Sequence, residues 1–172
     1  MVALTSFPVG AESIGAVAFA NLLLGWFVVS VLVIVFVYDL RYMLIPRSIT
    51  LPATVLALAA NVALGMDIAH LVIGVAIGGG FFWLQRLLSK GKWVGGGDVY
   101  LGLFMGAVLG YPLILVALFI AYVAGALIGV SLMVIKRKTM KSELPFGTFL
   151  AAGTVFTLLY GQVILGWYMG LL

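Results

Sequence analysis

The first long apolar segment runs from Ala16 to Tyr38 without a charged residue and is followed directly by Asp39. A helix needs roughly 20 mostly apolar residues to cross the hydrocarbon core of a bilayer, so this segment is long enough to span a membrane. Over the whole chain, 65% of the residues are hydrophobic and only 8% are charged. That is too few charges to cover an ordinary water-soluble surface, and the sequence therefore predicts an integral membrane protein.

The N-terminal region predicts a retained first span. It has no basic stretch, and the apolar segment is longer than the ~7 to 15 residues of a signal-peptide core. At 172 residues, we expect a single membrane-embedded domain over 1–172 with no separate soluble domain. The absence of cysteine excludes disulfides, thiolate metal sites and cysteine nucleophiles.

Apolar runs separated by charged or turn-rich breaks predict an all-α polytopic bundle of about six transmembrane helices. The predicted helices are Ala16 to Tyr38, Ile49 to Leu64, Ile68 to Leu88, Val99 to Leu109, Leu113 to Ile135, and Thr148 to Gly170. The fourth is too short to span at ~1.5 Å per residue. It must either extend through the Tyr111-Pro112 break or lie in a locally thin, protein-lined region.

The basic residues predict the orientation of the bundle. With six helices, all nine Lys and Arg residues fall on loops of one face: Arg41, Arg47, Arg86, Lys90, Lys92, Lys136, Arg137, Lys138 and Lys141. By the positive-inside rule this face is cytoplasmic and both termini lie outside. Adding or dropping a span would scatter the basic loops over both faces, which supports the fourth helix.

Pairs of glycines at four-residue spacing predict close helix packing within the bundle, in preference to a dimer seam. The pairs are Gly74/Gly78, Gly106/Gly110, Gly125/Gly129 and Gly166/Gly170. The run Gly78 to Gly80 is either a flexible point in the third helix or a packing notch. The single histidine, His70, excludes HExxH zinc sites and is expected to be a solvated interface residue.

Two of the five acidic residues adjoin the predicted cytoplasmic ends of helices. Asp39 closes the first predicted helix, and Asp98 opens the fourth after the run Gly95-Gly96-Gly97. An ionisable group beside a long apolar run is costly unless it is paired, solvated or functional. Because the first helix runs inward and the fourth outward, the two aspartates are expected at the same depth, where the bundle could bring them together.

Two neighbouring carboxylates share one proton and titrate as a pair, which supplies a base and an acid at the same pH. Such a pair can activate water against an amide carbonyl, as in aspartic proteases. Structural roles also fit these residues. Asp98 could be a helix N-cap, and Asp39 could pair with Arg41 or Arg47. The three glycines could give a substrate backbone room beside Asp98, or simply permit a tight turn.

Other catalytic motifs do not fit the chain. The glycine run is followed by Asp98 rather than by Lys and Ser/Thr, so it is not a phosphate-binding P-loop. It does not satisfy GxGxxG either, because the sixth position from Gly95 is Tyr100. Ser89 beside Lys90 lacks a cytoplasmic histidine and fits loop polarity better than a catalytic dyad.

The two aspartate segments resemble those of the type IV prepilin peptidase family of membrane aspartic proteases. Asp39-Leu40-Arg41 followed by Ile45-Pro46 is similar to the family's first aspartate motif, and Gly95 to Asp98 is similar to its Gly-x-Gly-Asp motif. The segment ELPFGTFLAAG, Glu143 to Gly153, is similar to the Pro-Phe-Gly stretch that opens the last helix in bacterial members. Together these cover the chain from about the first helix to the last.

The resemblance implies that Asp39 and Asp98 are the catalytic pair, with no metal or other cofactor. Gly95, Gly96 and Gly97 would shape the loop that presents Asp98, and Pro145, Phe146 and Gly147 would line the site or set the last helix's entry angle. The implied substrates are prepilins, pseudopilins or preflagellins with short basic leaders, cut at the cytoplasmic face of the plasma membrane. The basic loops would repel such leaders, so their expected partners are anionic membrane lipids. No nucleic-acid partner is expected.

The absence of cysteine limits how far the resemblance extends. Many bacterial members carry a cytoplasmic region with paired CxxC motifs that is associated with N-methylation of the newly exposed residue. This chain has no cysteine. It resembles a short form, so the resemblance extends to peptidase activity and not to methyltransferase activity.

Two other functions compete with this reading. A signal-peptide-peptidase-like protease also uses Gly-x-Gly-Asp and a Tyr-Asp pair, which Tyr38-Asp39 matches. Those enzymes usually have more helices and a Pro-Ala-Leu motif where this chain has Leu144-Pro145-Phe146. A small transporter or channel could use the aspartates for protons or cations, but its sites usually lie near the membrane midplane.

Overall fold

The computed structural model describes residues 11–135 and 144–171, and over these residues the chain forms six α-helices. They are α1 (Ala11–Tyr42), α2 (Arg47–Ala63), α3 (Ile68–Leu88), α4 (Gly96–Leu109), α5 (Leu113–Val134) and α6 (Phe146–Met169). Each corresponds to one of the predicted apolar segments, with ends that differ by a few residues. The all-α prediction is therefore confirmed. Four of the predicted basic residues, Lys136, Arg137, Lys138 and Lys141, and also Glu143, lie outside the described residues.

Several helices begin at residue types that suit the first turn of a helix, where the backbone N–H groups have no partner within the helix. Pro46, Pro112 and Pro145 occupy the N-cap positions of α2, α5 and α6, where the N–H group that proline lacks is not needed. At α3 the Asp67 carboxylate accepts a 2.8 Å hydrogen bond from the N–H of Ala69. The sequence thus marks the starts of these helices as well as their apolar bodies.

Four of the helices, α1, α3, α5 and α6, are long and apolar enough to cross a membrane. The other two are shorter, with 17 residues in α2 and 14 in α4. At 1.5 Å per residue α4 extends about 21 Å, against a hydrocarbon core of about 30 Å. How many helices cross the bilayer, and on which side the termini lie, stay predictions.

Helix α4 is the most enclosed element of the bundle. It packs against α2, α3, α5 and α6, with its most extensive contact on α3. Nearly every residue from Leu101 to Leu109 is buried, and the helix ends at Leu109 before the Tyr111-Pro112 break. The predicted protein lining of this short helix is therefore confirmed, and the helix does not extend through the Tyr111-Pro112 break.

Glycines let the backbones of α3 and α4 approach each other closely. A Cβ atom added to Gly74 would lie 2.7 Å from the Cα of Gly110, and one added to Gly102 would collide with the carbonyl of Gly78. The predicted packing within the bundle is thus confirmed for this pair of helices. Helix α3 continues through the run from Gly78 to Gly80, and Gly78 and Gly79 of this run form a notch for α4. By contrast, no described atom lies within 4 Å of a Cβ added to Gly166.

One end of the bundle gathers five helix ends. The last turn of α1 and the first turns of α4 and α6 contribute residues to one cavity there, and residues from the end of α3 and the start of α2 line a second cavity beside it. His70 lies in the first turn of α3, away from this cavity. It is exposed, as predicted, with its ring 6.3 Å from that of Tyr111.

Candidate active site

Asp39 is buried in the last turn of α1, with only 4% of its surface exposed. The prediction that it closes the helix is wrong, because α1 continues to Tyr42. Its Oδ2 atom accepts a 2.8 Å hydrogen bond from the backbone N–H of Thr148 in the first turn of α6. The N–H groups of a first helical turn have no hydrogen-bond partner within their own helix. The N–H of Thr148 is therefore available to donate to the Asp39 carboxylate. Arg41 and Arg47, the predicted alternative partners, are both exposed.

Gly147 brings α6 against this carboxylate. A Cβ atom at this position would lie 2.9 Å from both Cγ and Oδ2 of Asp39 and 2.8 Å from Cδ1 of Ile45. No residue with a side chain fits there without displacing its neighbours. The Pro-Phe-Gly segment therefore does more than set the entry angle of α6, because its glycine is in contact with the first aspartate.

Asp98 lies in the first turn of α4 and is 9% exposed. The predicted N-cap role is wrong in position, because the N-cap is Gly95 and Asp98 comes three residues later. Its Oδ2 accepts a 2.9 Å hydrogen bond from the N–H of Gly95, which is the side-chain half of a capping box. This hydrogen bond holds the glycine run next to the carboxylate, and the helix begins at Gly96.

The electrostatics of Asp98 differ from those of an ordinary surface carboxyl group. Burial raises the pKa of Asp98 to about 6, the Gly95 N–H opposes this rise, and the negative charge of Asp39 adds to it. The two carboxylates are thus close enough to influence each other's ionisation. One proton shared between them is the form expected near pH 6.

A cavity of about 790 Å³ opens between the helix ends and contains both aspartates. It is lined by Asp39, Met43, Leu44, Ile45, Gly91, Lys92, Trp93, Val94, Gly95, Gly96, Gly97, Asp98, Leu144, Pro145 and Phe146. The fold therefore brings together every residue predicted for the site, with Gly147 behind the wall in contact with Asp39. Among residues 11–135 and 144–171, no group of three or more His, Cys, Asp or Glu residues could hold a metal ion.

The glycines before Asp98 have separate roles. A Cβ atom at Gly96 would lie 2.5 Å from Nη1 of Arg86, and one at Gly97 would lie 2.7 Å from Cβ of Ile45. The room at these two positions is thus already used by the protein's own side chains. Gly95 is more open, since the atom nearest to a Cβ there would be Oδ2 of Asp98, at 3.3 Å. Of the three, Gly95 best fits the expectation of space beside the aspartate.

A sequence model described as the type IV leader peptidase family matches residues 26–130, which includes both aspartates and the glycine run. The chain belongs to this family. The match favours the prepilin-peptidase resemblance over the signal-peptide-peptidase-like one. It ends before the Pro-Phe-Gly segment, so the contact between Gly147 and Asp39 is a finding of the structure alone.

Among its relatives in the leader peptidase family are proteins named prepilin leader peptidase/N-methyltransferase. The chain is 33% identical to the one from Bacillus subtilis strain 168, over 82% of this chain and 57% of that protein. It is 31% identical to the one from Aeromonas hydrophila, over 87% of this chain and 52% of that protein. The chain thus spans about half the length of these curated relatives. No solved structure matches it significantly.

Several parts of this family member's site were not predicted from the sequence. Ile45 was noticed only as half of a motif, yet it fills the space beside both Gly97 and Gly147. Behind the cavity, Gln85 of α3 and Tyr122 of α5 form a hydrogen-bonded pair at 2.8 Å, and the Tyr122 ring packs on Phe146 with centroids 4.8 Å apart. A polar residue at a matching depth in each of two apolar helices was the only signal for this pair.

Proposed function

We propose that this chain is a membrane aspartic endopeptidase that removes basic leader peptides from type IV prepilin-like precursors, using Asp39 and Asp98 to activate water. The observation that carries the proposal is that two buried carboxylates, from the last turn of α1 and the first turn of α4, line one cavity. The names of the relatives favour a prepilin as substrate, and the resemblance of the aspartate motifs adds pseudopilins and preflagellins as candidates.

The proposed reaction uses the pair of aspartates in its singly protonated form. The ionised carboxylate takes a proton from water as the oxygen of that water attacks the scissile carbonyl carbon. The protonated carboxyl group donates a hydrogen bond to the carbonyl oxygen, where negative charge develops. When the tetrahedral intermediate collapses, the C–N bond breaks and the amine leaves with a proton from the pair. At each step the proton is assigned to the coupled pair as a whole and not to one aspartate.

The remaining predicted residues are proposed to shape the site. Gly95, Gly96 and Gly97 hold the loop that presents Asp98, and Pro145 and Phe146 form the opposite wall of the cavity. Gly147 allows Thr148 to approach Asp39 and donate its N–H. This hydrogen bond fixes the orientation of the Asp39 carboxylate at the cavity.

We also propose that the cavity opens at the cytoplasmic face of the plasma membrane. Five described basic residues, Arg41, Arg47, Arg86, Lys90 and Lys92, lie at the same end of the bundle as the cavity, which agrees with the positive-inside rule. We propose six crossings with both termini outside, which would place all of these basic residues on the cytoplasmic face. The exposed arginines at this end suit anionic lipid head groups.

The test is mass measurement of candidate prepilins after incubation with the purified full-length chain. We expect cleavage by the unmodified protein, and a loss of at least ~100-fold in rate for Asp39→Asn and for Asp98→Asn, because each removes one half of the pair. Asp67→Asn is the matched control, since this exposed aspartate caps α3 and asparagine caps a helix equally well. Normal cleavage by either active-site variant would refute the proposal. The same spectra would reveal any added methyl group.

A further inference from the structure

The cavity that holds the two carboxylates has an apolar rim made by Met43, Leu44 and Trp93. These side chains are 47%, 64% and 75% exposed, respectively, and all three line the cavity. They come from two loops, one between α1 and α2 and the other between α3 and α4. The site thus combines a polar centre with an apolar edge that the protein itself leaves uncovered.

The fold holds these loops in defined conformations. The N–H of Met43 donates to the carbonyl of Asp39 at 2.8 Å, so this rim residue is tied to the turn that carries the first aspartate. On the other side, the N–H of Trp93 donates to Oγ of Ser89 at 3.2 Å, and the neighbouring Val94 is buried. The exposed Trp93 is therefore held in place by its own backbone hydrogen bond and by the buried residue Val94 that follows it.

Backbone strain is concentrated in the same two loops. Among the described residues, the non-glycine residues with positive φ are Met43, at 52°, and Lys90, at 53°. Such conformations are costly for residues with a side chain and cluster at binding and catalytic sites. Both loops around the cavity are thus strained, and one strained residue belongs to the rim itself.

The size of the cavity bears on what the rim contacts. At about 790 Å³ it lies near the upper end of the roughly 300–1,000 Å³ typical of ligand pockets, and it exceeds what one peptide bond would fill. A peptide whose scissile carbonyl reaches Asp39 and Asp98 must therefore also place neighbouring side chains along the walls. The wall that is both exposed and apolar is the rim.

We infer that Met43, Leu44 and Trp93 form a specificity subsite that receives an apolar side chain of the peptide substrate next to the scissile bond. The inference rests on the proposed peptidase function and adds a substrate preference to it. Trp93 is the largest contributor, since it offers a broad apolar face at low conformational cost. A polar side chain at the same substrate position would leave the rim in contact with water.

The first test compares kcat/KM for a type IV prepilin and for two variants with serine at the residue before or after the cut. With the unmodified protein, we expect replacement of the apolar residue by serine to lower kcat/KM by roughly 10- to 100-fold. In Trp93→Ala, and to a lesser degree in Leu44→Ala, we expect this discrimination to shrink to less than about threefold. Trp83→Ala is the matched control, because Trp83 is also exposed but does not line this cavity. If Trp93→Ala slows all substrates equally, Trp93 is an interface anchor only and the subsite is refuted.

A second test separates this inference from the peptidase proposal. A photoreactive p-benzoylphenylalanine replaces Trp93, or Trp83 as control, in full-length Asp98→Asn protein, which is then irradiated with the prepilin or its serine variants. We expect crosslinks from position 93 to the unmodified prepilin, several-fold fewer to the relevant serine variant, and few from position 83. Such crosslinks without cleavage by the unmodified protein would refute the peptidase proposal and leave the subsite intact. Equal crosslinking from both positions, or none, would refute the subsite.

Discussion

At the residue scale, each aspartate is held by a backbone N–H group from a helix start. Asp39 receives its hydrogen bond from Thr148, which is 109 residues away in the chain, and Asp98 receives one from Gly95. The first contact joins α1 to α6 directly at the proposed catalytic group. Small changes at the start of α6 should therefore act on a carboxylate carried by another helix.

Gly147→Ala should impair cleavage by moving Asp39. The added methyl group would lie 2.9 Å from the carboxylate and must displace it, or Ile45, or the start of α6. Overpacking of this kind costs about 1–3 kcal/mol of stability. We expect kcat to fall by at least ~10-fold. The control is Gly166→Ala in the same helix, where no described atom lies within 4 Å of the added methyl group. It should cleave a prepilin at the unmodified rate when equal amounts of protein are compared. Equal rates for the two variants would contradict this account.

The pH dependence of cleavage should reflect the raised pKa of Asp98. Because that pKa is about 6, the singly protonated pair is well populated at pH 6 and is lost as the pH rises. We expect kcat/KM to fall between pH 6 and pH 8, approaching about tenfold per pH unit at the upper end. Rates on one prepilin in detergent across this range, with gel filtration to verify the fold at each pH, would check it. A rate that rises up to pH 8 would exclude a shared proton held at Asp98.

The residue types of the site could be predicted from sequence, but their contacts could not. Two aspartates at equal predicted depth in a chain with five acidic residues were sufficient to suggest a pair. The hydrogen bond to Thr148 had no signature, because almost any residue could supply that N–H. The packing of Ile45 against Gly97 and Gly147 could not be predicted for a similar reason, since an isoleucine in an apolar chain does not stand out.

At the element scale, the fit between α3 and α4 determines where Asp98 lies. The two helices pack through glycines over much of the length of α4, from Gly102 to Gly110. The four-residue glycine spacing predicted such a contact. The short length of α4 allowed a protein-lined position as one of two alternatives, but its composition could not decide between them, because a helix that is apolar all round looks the same in lipid and in protein.

Gly102→Ala should separate α3 from α4 and weaken both stability and cleavage. The new methyl group would collide with the carbonyl of Gly78 and with the ring of Phe82, and backbone atoms cannot rotate away. We expect the free energy of unfolding to fall by about 1–3 kcal/mol, measured by denaturation in mixed micelles.

The matched control is Gly80→Ala in α3, where no described atom lies within 4 Å of the new methyl group. It should be neutral or stabilising by about 0.4–1 kcal/mol, because alanine restricts the unfolded chain more than glycine does. If Gly80→Ala proved as harmful as Gly102→Ala, tight α3–α4 packing would not be the cause.

At the scale of the whole molecule, the ends of α1, α4 and α6 meet in the cavity together with the α1–α2 and α3–α4 loops, so the proposed site depends on segments from most of the chain. The family match over residues 26–130 contains both aspartates but ends before α6, which supplies the hydrogen bond to Asp39 and part of the cavity wall. The apolar runs predicted the number of helices because each run was interrupted by charges or turn residues. They could not predict which helix ends converge.

The predicted topology can be tested with single cysteines, because the chain has none of its own. Ser48→Cys and His70→Cys introduce thiols at exposed positions near opposite ends of the bundle. We expect a membrane-impermeant maleimide to label position 70 in intact spheroplasts and position 48 only after lysis. Labelling of position 48 from outside would reverse the orientation and place the cavity on the other face.

The enclosure of α4 also bears on how the protein would respond to bilayers of different thickness. A lipid-facing helix adjusts to hydrophobic mismatch by tilting or by deforming the bilayer around it. Helix α4, at about 21 Å, is shielded by its neighbours, so its position along the bundle axis is determined by the glycine notch of α3. Thinning or thickening of the membrane would tilt the outer helices first, and Asp98 would keep its height relative to α3.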